Sequence, residues 1–466
     1  MARKKAASKR HVIVGAGPAG LRAIETIRSY EPGSSITLIG DEPAYSRMVI
    51  PYYLAGDIEE RAVFTGDLNY FSSLKVETMF GRRVTSIDPK AQTLTLDDRA
   101  TVGYDDLLIA TGSSATRPPI DGATLPGVQN MWGLQDARDF LARARPNSQV
   151  VIIGAGFIGL IILDGLHNAH HQVTFVELES HILPRMIDAG GAAIVEGWMK
   201  RHGVTSVTGT SVTEIFGRNG GFGLRLKDGR ELEADSVVVA TGIKPNLDFA
   251  ASAGVKTRQG ILVNNKLQTN IPNIYAAGDV AEGPVLGSRA KEVHAIQPTA
   301  FEHGRVAGAN MAGQNVQYSG SLGLNVLDAV GLQVTSFGDW GNEADTTEVS
   351  SEMNSIHRRL SWKGDVIVGA IMVGKATDVG LLNDVGMVKG FIQTGTHLGT
   401  WKNYISENPL DLRKPYVATK VAQGLLKTTL TKEPAVSGGR GYRFPPLEPV
   451  TQKTPWHKAL ISEAPK

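Results

Sequence analysis

At 466 residues the chain is too long for one hydrophobic core and points to about three domains. Its 42% hydrophobic and 20% charged residues are ordinary for a globular protein, and a net charge of +2 excludes the broad basic field that nucleic-acid binding needs. No apolar run approaches the roughly 18 residues of a membrane span. Zero cysteines exclude a redox disulfide, a sulfenic acid centre, thiolate metal ligation and cysteine-held iron–sulfur clusters, so any redox chemistry must rest on bound cofactors.

The basic start MARKKAASKR is followed by no apolar stretch or cleavage site and reads as a disordered leader, not a secretory signal; a cytoplasmic protein is expected. His11–Leu21, HVIVGAGPAGL, is an apolar strand running straight into a glycine turn. Gly15 lets the chain turn sharply and Gly17 lets backbone approach phosphate oxygens. Beyond Pro18 and Ala19, Gly20 lets the next helix pack on its strand. The pattern fits a dinucleotide pyrophosphate seated on free helix N–H groups. That helix ends at Glu31-Pro32-Gly33, and Ser35–Ile39 is the second strand. Asp41 or Glu42, just past it, is placed to accept hydrogen bonds from a ribose diol, a solvated turn carboxylate being the plain alternative. Tyr45–Gly56, YSRMVIPYYLAG, with Arg47 in it, is expected beside the dinucleotide. Tyr104–Gly112 is a strand closing in Ala110-Thr111-Gly112, a small turn that lets backbone pass close to a cofactor.

Arg117-Pro118-Pro119 and Asp121-Gly122 mark a linker near residue 118, and then the plan repeats. Val150–Leu160, VVIIGAGFIGL, carries Gly154, Gly156 and Gly159 at matching places, with Phe157 and Ile158 opening the helix. The strand Val173–Val176 ends at Glu177, 23 positions past Gly154, the spacing of a ribose-binding carboxylate. Leu178 and Glu179 follow, with no Arg or Lys for a 2′-phosphate, which favours NADH over NADPH. Ser236–Gly242 repeats the Ala-Thr-Gly ending and closes at Gly242. Histidines 167, 170 and 171 cluster before the strand Val173–Val176, where cations at a helix C-terminus are a plainer reading than a metal site.

Ile271–Asp279, IPNIYAAGD, is a strand leading to Gly278-Asp279, and Pro298-Thr299-Ala300 opens a helix running to Met311. Beyond Tyr318 the chain turns to β hairpins, such as Ser355–Val373 around Lys363-Gly364-Asp365, and then to helical segments up to about residue 430. The proline-rich end reads as an extended tail whose Tyr442, Phe444 and Trp456, together with Trp401, are candidate partner anchors.

The GAGPAG turn, the first ATG, the GAGFIG turn, the second ATG and NIYAAGD, in that order, resemble the FAD- and NAD(P)-dependent pyridine nucleotide–disulfide oxidoreductase superfamily. The resemblance runs from residue 10 to about 420 and includes ILPRMID at 182–188. YSRMVIPYYLAG looks most like the flavoprotein part of NADH-dependent nitrite reductases and like rubredoxin or ferredoxin reductases. The resemblance implies an α/β fold of two Rossmann-like dinucleotide domains, the NAD domain (119–245) inserted in the FAD domain (1–118 and 246–316). A β-rich α+β interface domain (317–430) and the tail (431–466) would follow. It implies FAD on Gly15, Gly17 and Gly20, with Asp279 on the ribityl chain and the helix at Pro298-Thr299-Ala300 aimed at the flavin. It also implies NADH on the second unit and hydride passing between the two.

Two departures from the family pattern matter. Relatives put a redox cysteine near Ser46–Val49, where this chain has Arg47, Met48 and Val49. They also pair a lysine with a glutamate near the flavin, at positions that are Tyr52 and Ile161 here, which implies a more apolar nicotinamide pocket. Met48 and Tyr52 are weak candidates for the flavin face, with plain packing as the alternative. His294 is a weak candidate for a proton donor or acceptor, a structural histidine being favoured, and Glu292 has the same status. The resulting expectation is an NADH:acceptor reductase handing electrons to a non-thiol acceptor, a redox protein or partner subunit, in a homodimer or heteromeric complex. An electron-input subunit of a larger iron–sulfur or haem complex, and a flavoprotein of mainly structural or regulatory role, are the alternatives.

Overall fold

The computed structural model of the chain describes residues 9–341 and 345–429. Most of the expected leader and the tail with Tyr442, Phe444 and Trp456 lie outside the described residues. The chain opens with β1 (Arg10–Val14), α1 (Pro18–Tyr30) and β2 (Ser35–Gly40). A short 3-10 turn at Arg47–Val49 leads into α2 (Ile50–Leu54), followed by β3 (Val76–Phe80) and β4 (Asp106–Ile109). The second unit contains β5 (Val128–Asn130), β6 (Gln149–Ile153), α3 (Phe157–Asn168), β7 (Gln172–Val176), α4 (Ala189–Arg201), β8 (Thr205–Val207) and β9 (Ser236–Val239). Then come β10 (Ile274–Ala276) and α5 (Gln297–Met311).

Two five-stranded parallel sheets follow one plan, in the orders β10-β4-β1-β2-β3 and β8-β7-β6-β9-β5. In each, the strand before the glycine turn is central, flanked by the strand ending in Ala-Thr-Gly on one side and the second strand on the other. The outermost strand beside the Ala-Thr-Gly strand comes late in the chain in the first sheet (β10) and early in the second (β5). Covered on both faces, the strands read as unbroken apolar runs, and Val12, Ile13, Val150 and Ile152 are all buried. Helix α5 lies against α1, where side chains at Gly304 and Gly308 would run into the backbone of Ala19 and Ala23. Small residues are what lets these two helices approach so closely.

The C-terminal part is an antiparallel sheet of β11 (Leu324–Ala329), β12 (Leu332–Gly338), β13 (Thr346–Ser351), β14 (Ile356–Lys363) and β15 (Val366–Lys375), in the order β11-β12-β15-β14-β13. The helix α6 (Val379–Thr394) starts on the cap Asp378, which accepts N–H bonds from Gly380 and Leu381. Alternation along β15 splits the sheet between two cores. Ala370 and Met372 pack with Val388 and Phe391 of α6, while Ile371 and Val373 pack with Leu160, Leu163, Val195 and Met199 of α3 and α4. The C-terminal sheet and the second unit therefore share one core. Trp401, partly buried, packs edge-on to Tyr404, 5.4 Å between ring centres, against the C-terminal core. No helix among the described residues is long and apolar enough to cross a membrane.

Candidate functional site

Both glycine turns are held by the same backbone bonds. Gly15 N donates to Ile39 O and Ala110 N to Val14 O, while Gly154 N donates to Val176 O and Ala240 N to Ile153 O, all at 2.8 Å. Gly15 and Gly154 have φ of +113° and +102°, a region that disfavours side chains. A Cβ at either would also meet the carbonyl of Ala110 or Ala240. A Cβ at Gly20 or Gly159 would meet the carbonyl of Gly15 or Gly154. At Gly17 and Gly156 it would meet nothing within 4 Å. The outer glycines are thus required by the protein's own packing, whereas the middle ones face open space. No side chain caps the helices that start there, α1 and α3, which leaves first-turn N–H groups for an anion.

The strand ends differ between the units. The pairings Val14 with Ile39 and Ile153 with Val176 make Gly40 the positional counterpart of Glu177. Glu177 is buried and accepts N–H bonds from Ala155 in the turn (2.7 Å) and from Glu179 (3.0 Å), while Leu178 beside it is exposed. In the first unit, Asp41 turns outward to an exposed ion pair with Arg83. Glu42 instead accepts hydrogen bonds from Tyr45 Oη and Arg47, each at 3.0 Å.

Arg47 begins a network that runs through Trp132 and Ser113 to Asp279. Its guanidinium lies 5.2 Å from the centre of the Tyr45 ring and 5.4 Å from that of Trp132, and its Nε is buried without a protein partner. Trp132 Nε1 donates to Ser113 O and Ser113 Oγ to Asp279 Oδ2, both at 2.8 Å. Burial raises the Asp279 pKa, while the Ser113 bond and the charge of Arg47 oppose that rise. Thr111 and Asn246 exchange two hydrogen bonds, which tie the first Ala-Thr-Gly turn to the segment after the second. Gly112, Gly242 and Gly278 all have positive φ, and Gly278 sits between Ala19 and Ala300. Pro298 lies in the first turn of α5, followed by the buried Thr299 and Ala300. Tyr45 lies in the segment expected beside the dinucleotide, whereas Ser113 and Trp132 went unnoticed in the sequence. Ser113 had a signal, its place directly after Ala-Thr-Gly; Trp132 had none.

Met48 and Tyr52 are both exposed, at 45% and 56%. The segment carrying Tyr52, α2, lies on α3, where a side chain at Gly165 would meet the backbone of Pro51. Ile161 is partly buried in the apolar cluster there. His294 Nε2 is 3.2 Å from Glu292, and burial lowers its pKa. His303, within α5, is fully buried with neither ring nitrogen bonded, its pKa pushed down to about 3 by burial. The helix-end reading of the histidine cluster fails for His171. That ring is buried, hydrogen-bonded to Ser148 Oγ at 2.9 Å and edge-on to Phe140, with a pKa lowered by burial, so it is a neutral packing residue. Among the described residues no three His, Asp or Glu are grouped to hold a metal ion.

Residues 9–304 match the family described as pyridine nucleotide-disulphide oxidoreductase. The chain belongs to that family. Its cofactors are FAD and NADH, and the two turns, with their open middle glycines and uncapped helices, fit two dinucleotides. Among relatives of this oxidoreductase, the chain is 31% identical over 376 residues to nitrite reductase [NAD(P)H] of Bacillus subtilis. That match covers 79% of this chain but 46% of the relative, so the chain spans about half that protein's length. It is 32% identical over 334 residues to the NADH-dependent phenylglyoxylate dehydrogenase subunit epsilon of Aromatoleum evansii, covering 71% of this chain and 79% of that one. A chain of the covalent putidaredoxin reductase–putidaredoxin complex matches with a TM-score of 0.80 at 22% identity, over 89% of this oxidoreductase and 100% of that chain, a likeness of fold.

Proposed function

We propose that this chain is an FAD-dependent NADH:acceptor oxidoreductase that passes electrons to a redox protein or partner subunit in the cytoplasm. What carries the reading is the pair of glycine turns on one plan, each presenting an open middle glycine at an uncapped helix N-terminus. Bound FAD would supply the hydride acceptor for NADH and the relay to a one- or two-electron acceptor. Residues 1–118 and 246–316 would form the FAD domain, 119–245 the NAD domain and 317–430 the interface domain.

In this reading Gly15, Gly17, Pro18, Ala19 and Gly20 seat the FAD pyrophosphate. Glu42, which stays bonded to Tyr45 and Arg47 of the network that leads to Asp279, rather than Asp41, which turns outward to an exposed pair with Arg83, takes the adenosine ribose. Arg47 offers its unpartnered Nε to the cofactor, and Asp279, held by Ser113, which opposes the rise that burial gives its pKa, faces the ribityl chain. Ala110, Thr111, Gly112 and Gly278 let backbone pass close to the flavin, and Pro298, Thr299 and Ala300 aim the N-terminus of α5 at it. Gly154, Gly156, Phe157, Ile158, Gly159 and Gly242 would hold the NADH pyrophosphate, with Glu177 on its ribose. Ile161, partly buried, would give the nicotinamide an apolar neighbour where relatives carry a charge.

The zero cysteines and the relative described as a subunit favour a heteromeric assembly in which this chain is the point of electron input. Anaerobic mixing of the purified yellow protein with NADH, followed by flavin absorbance, tests the reading. Rapid bleaching by NADH and much slower bleaching by NADPH are expected. Flavin that stays oxidised with both nucleotides overturns the hydride-transfer assignment.

A further inference from the structure

Helix α3 starts at the second glycine turn, backs onto Pro51 through Gly165 and packs against the C-terminal sheet through β11. At that last contact, Asp164 of α3 and Asp328 of β11 lie within hydrogen-bonding reach of each other, both half-buried. Each also receives a backbone N–H of the turn joining β11 and β12, Val330 N to Asp164 at 2.6 Å and Gly331 N to Asp328 at 2.5 Å. The groups acting on the two carboxyls are each other and these two amides, with no cation among them.

Charged and titratable side chains on the surrounding elements are engaged elsewhere or face solvent. On α3, His167 contacts the carbonyl of His202. On α4, Glu196 accepts from Ile182 N, Arg201 donates to Ser355, His202 contacts the carbonyl of Trp198 and Lys200 is exposed. On α2, Tyr53 donates to Glu60 and Tyr52 is exposed. Lys375, ending β15, is exposed.

Two carboxylates in contact in a partly desolvated site cannot both stay ionised at little cost, and one shared proton turns their repulsion into a hydrogen bond. We propose that Asp164 and Asp328 share one proton and form a pH-sensitive latch between helix α3 and the C-terminal sheet. With the proton the latch is closed; without it the two charges push the helix away from the turn. The assignment rests on this joint alone and stands whether or not the chain transfers hydride.

Burial and the neighbouring carboxyl push Asp164 up to about 7, above the ordinary value near 4 that an unfolded chain has. The folded state then binds the extra proton, so stability falls as pH rises from about 4 to about 7 and levels off above. Urea unfolding of the full chain between pH 5 and 8.5, compared with Asp164→Asn and Asp328→Asn, tests this. In either variant the amide can donate to the remaining carboxylate while its oxygen still accepts the turn N–H. The wild-type folding constant is expected to fall by up to about tenfold per pH unit up to pH 7 relative to each variant. The variants should be the more stable at pH 8.5. A protonated-carboxyl infrared band, absent in both variants, should vanish from the wild type between pH 6 and 8. Parallel pH curves, or no such band, overturn the proposal. If one variant fails to fold, the other and the wild-type infrared titration decide.

Discussion

In the first unit the strand after the glycine turn ends at Gly40, and in the second the same register position is Glu177, tied under the turn by two N–H bonds. The units also dock differently. The first meets α5 through glycines laid on backbone. The second meets the C-terminal sheet through a shared apolar core edged by ionisable pairs, Asp164 with Asp328 and Asp188 with His357 and Arg359. One backbone plan thus serves two settings: a fixed seat whose carboxylates lie beyond the strand end, and a seat whose carboxylate is part of the turn and whose helix rests on a joint that responds to protons.

The sharpest way to break the comparison is at the glycines. Gly15→Val and Gly154→Val force a side chain into a left-handed backbone and into a carbonyl. Each is expected to cost about 2–5 kcal/mol and to yield unstable, cofactor-poor protein in thermal melts. Gly17→Ala and Gly156→Ala should leave the apo melting temperature unchanged while weakening flavin or NADH binding by roughly tenfold or more. If both classes melt alike, the division between packing and ligand glycines is wrong. Next, Glu177→Gly makes the second strand end resemble the first. The Michaelis constant for NADH is expected to rise roughly 10- to 100-fold, with flavin content unchanged in the absorbance spectrum. An unaltered constant would remove Glu177 from the nucleotide site.

A smaller effect is expected from Ser113→Ala, which takes a donor from Asp279. That carboxyl should then protonate at higher pH, so flavin release on acidification, read by fluorescence, should begin at higher pH than in the wild type. The smallest concerns the second joint. Burial alone would raise the Asp188 pKa, yet His357, the Gly191 N–H and Arg359 hold it well below the usual carboxylate range. A depressed folded value means stability that is present above about pH 4 and lost as pH falls through the folded value. Asp188→Asn should flatten the acid limb of the stability curve, while the wild type keeps its steep loss.

The parts of the site that the backbone itself dictates were legible. Gly20 and Gly159 are fixed by the carbonyls of Gly15 and Gly154 five residues earlier, and the spacing of each turn, repeated in both units with its Ala-Thr-Gly ending, shows the rest. The choice between Asp41 and Glu42 was not, because it turns on Arg83 and Arg47, which approach in space. The chain from Arg47 through Trp132 and Ser113 to Asp279 joins four segments, and nothing in local pattern links them. The shared core of α3, α4 and β15 was equally hidden. Alternation along Val366–Lys375 shows that both faces of the strand are apolar, but not that one face belongs to another unit. His171 was misread because its partners, Ser148 and Phe140, lie more than 20 residues earlier.

The late arrival of β10 in the first sheet bears on how the chain is made. Its neighbour β4 ends at Ile109, and Ile274 leaves the ribosome only after the whole second unit has been synthesised. At usual rates of synthesis that interval is roughly 8–30 s. Until then the β4 edge is an unpaired row of amides and carbonyls, the kind of surface on which chains pair wrongly. Fast folding of the inserted unit, which brings the two ends of the first back together, would shorten that exposure. Slow synthesis or a destabilised second unit would lengthen it, and the yield of soluble protein would then depend on translation speed as well as on final stability.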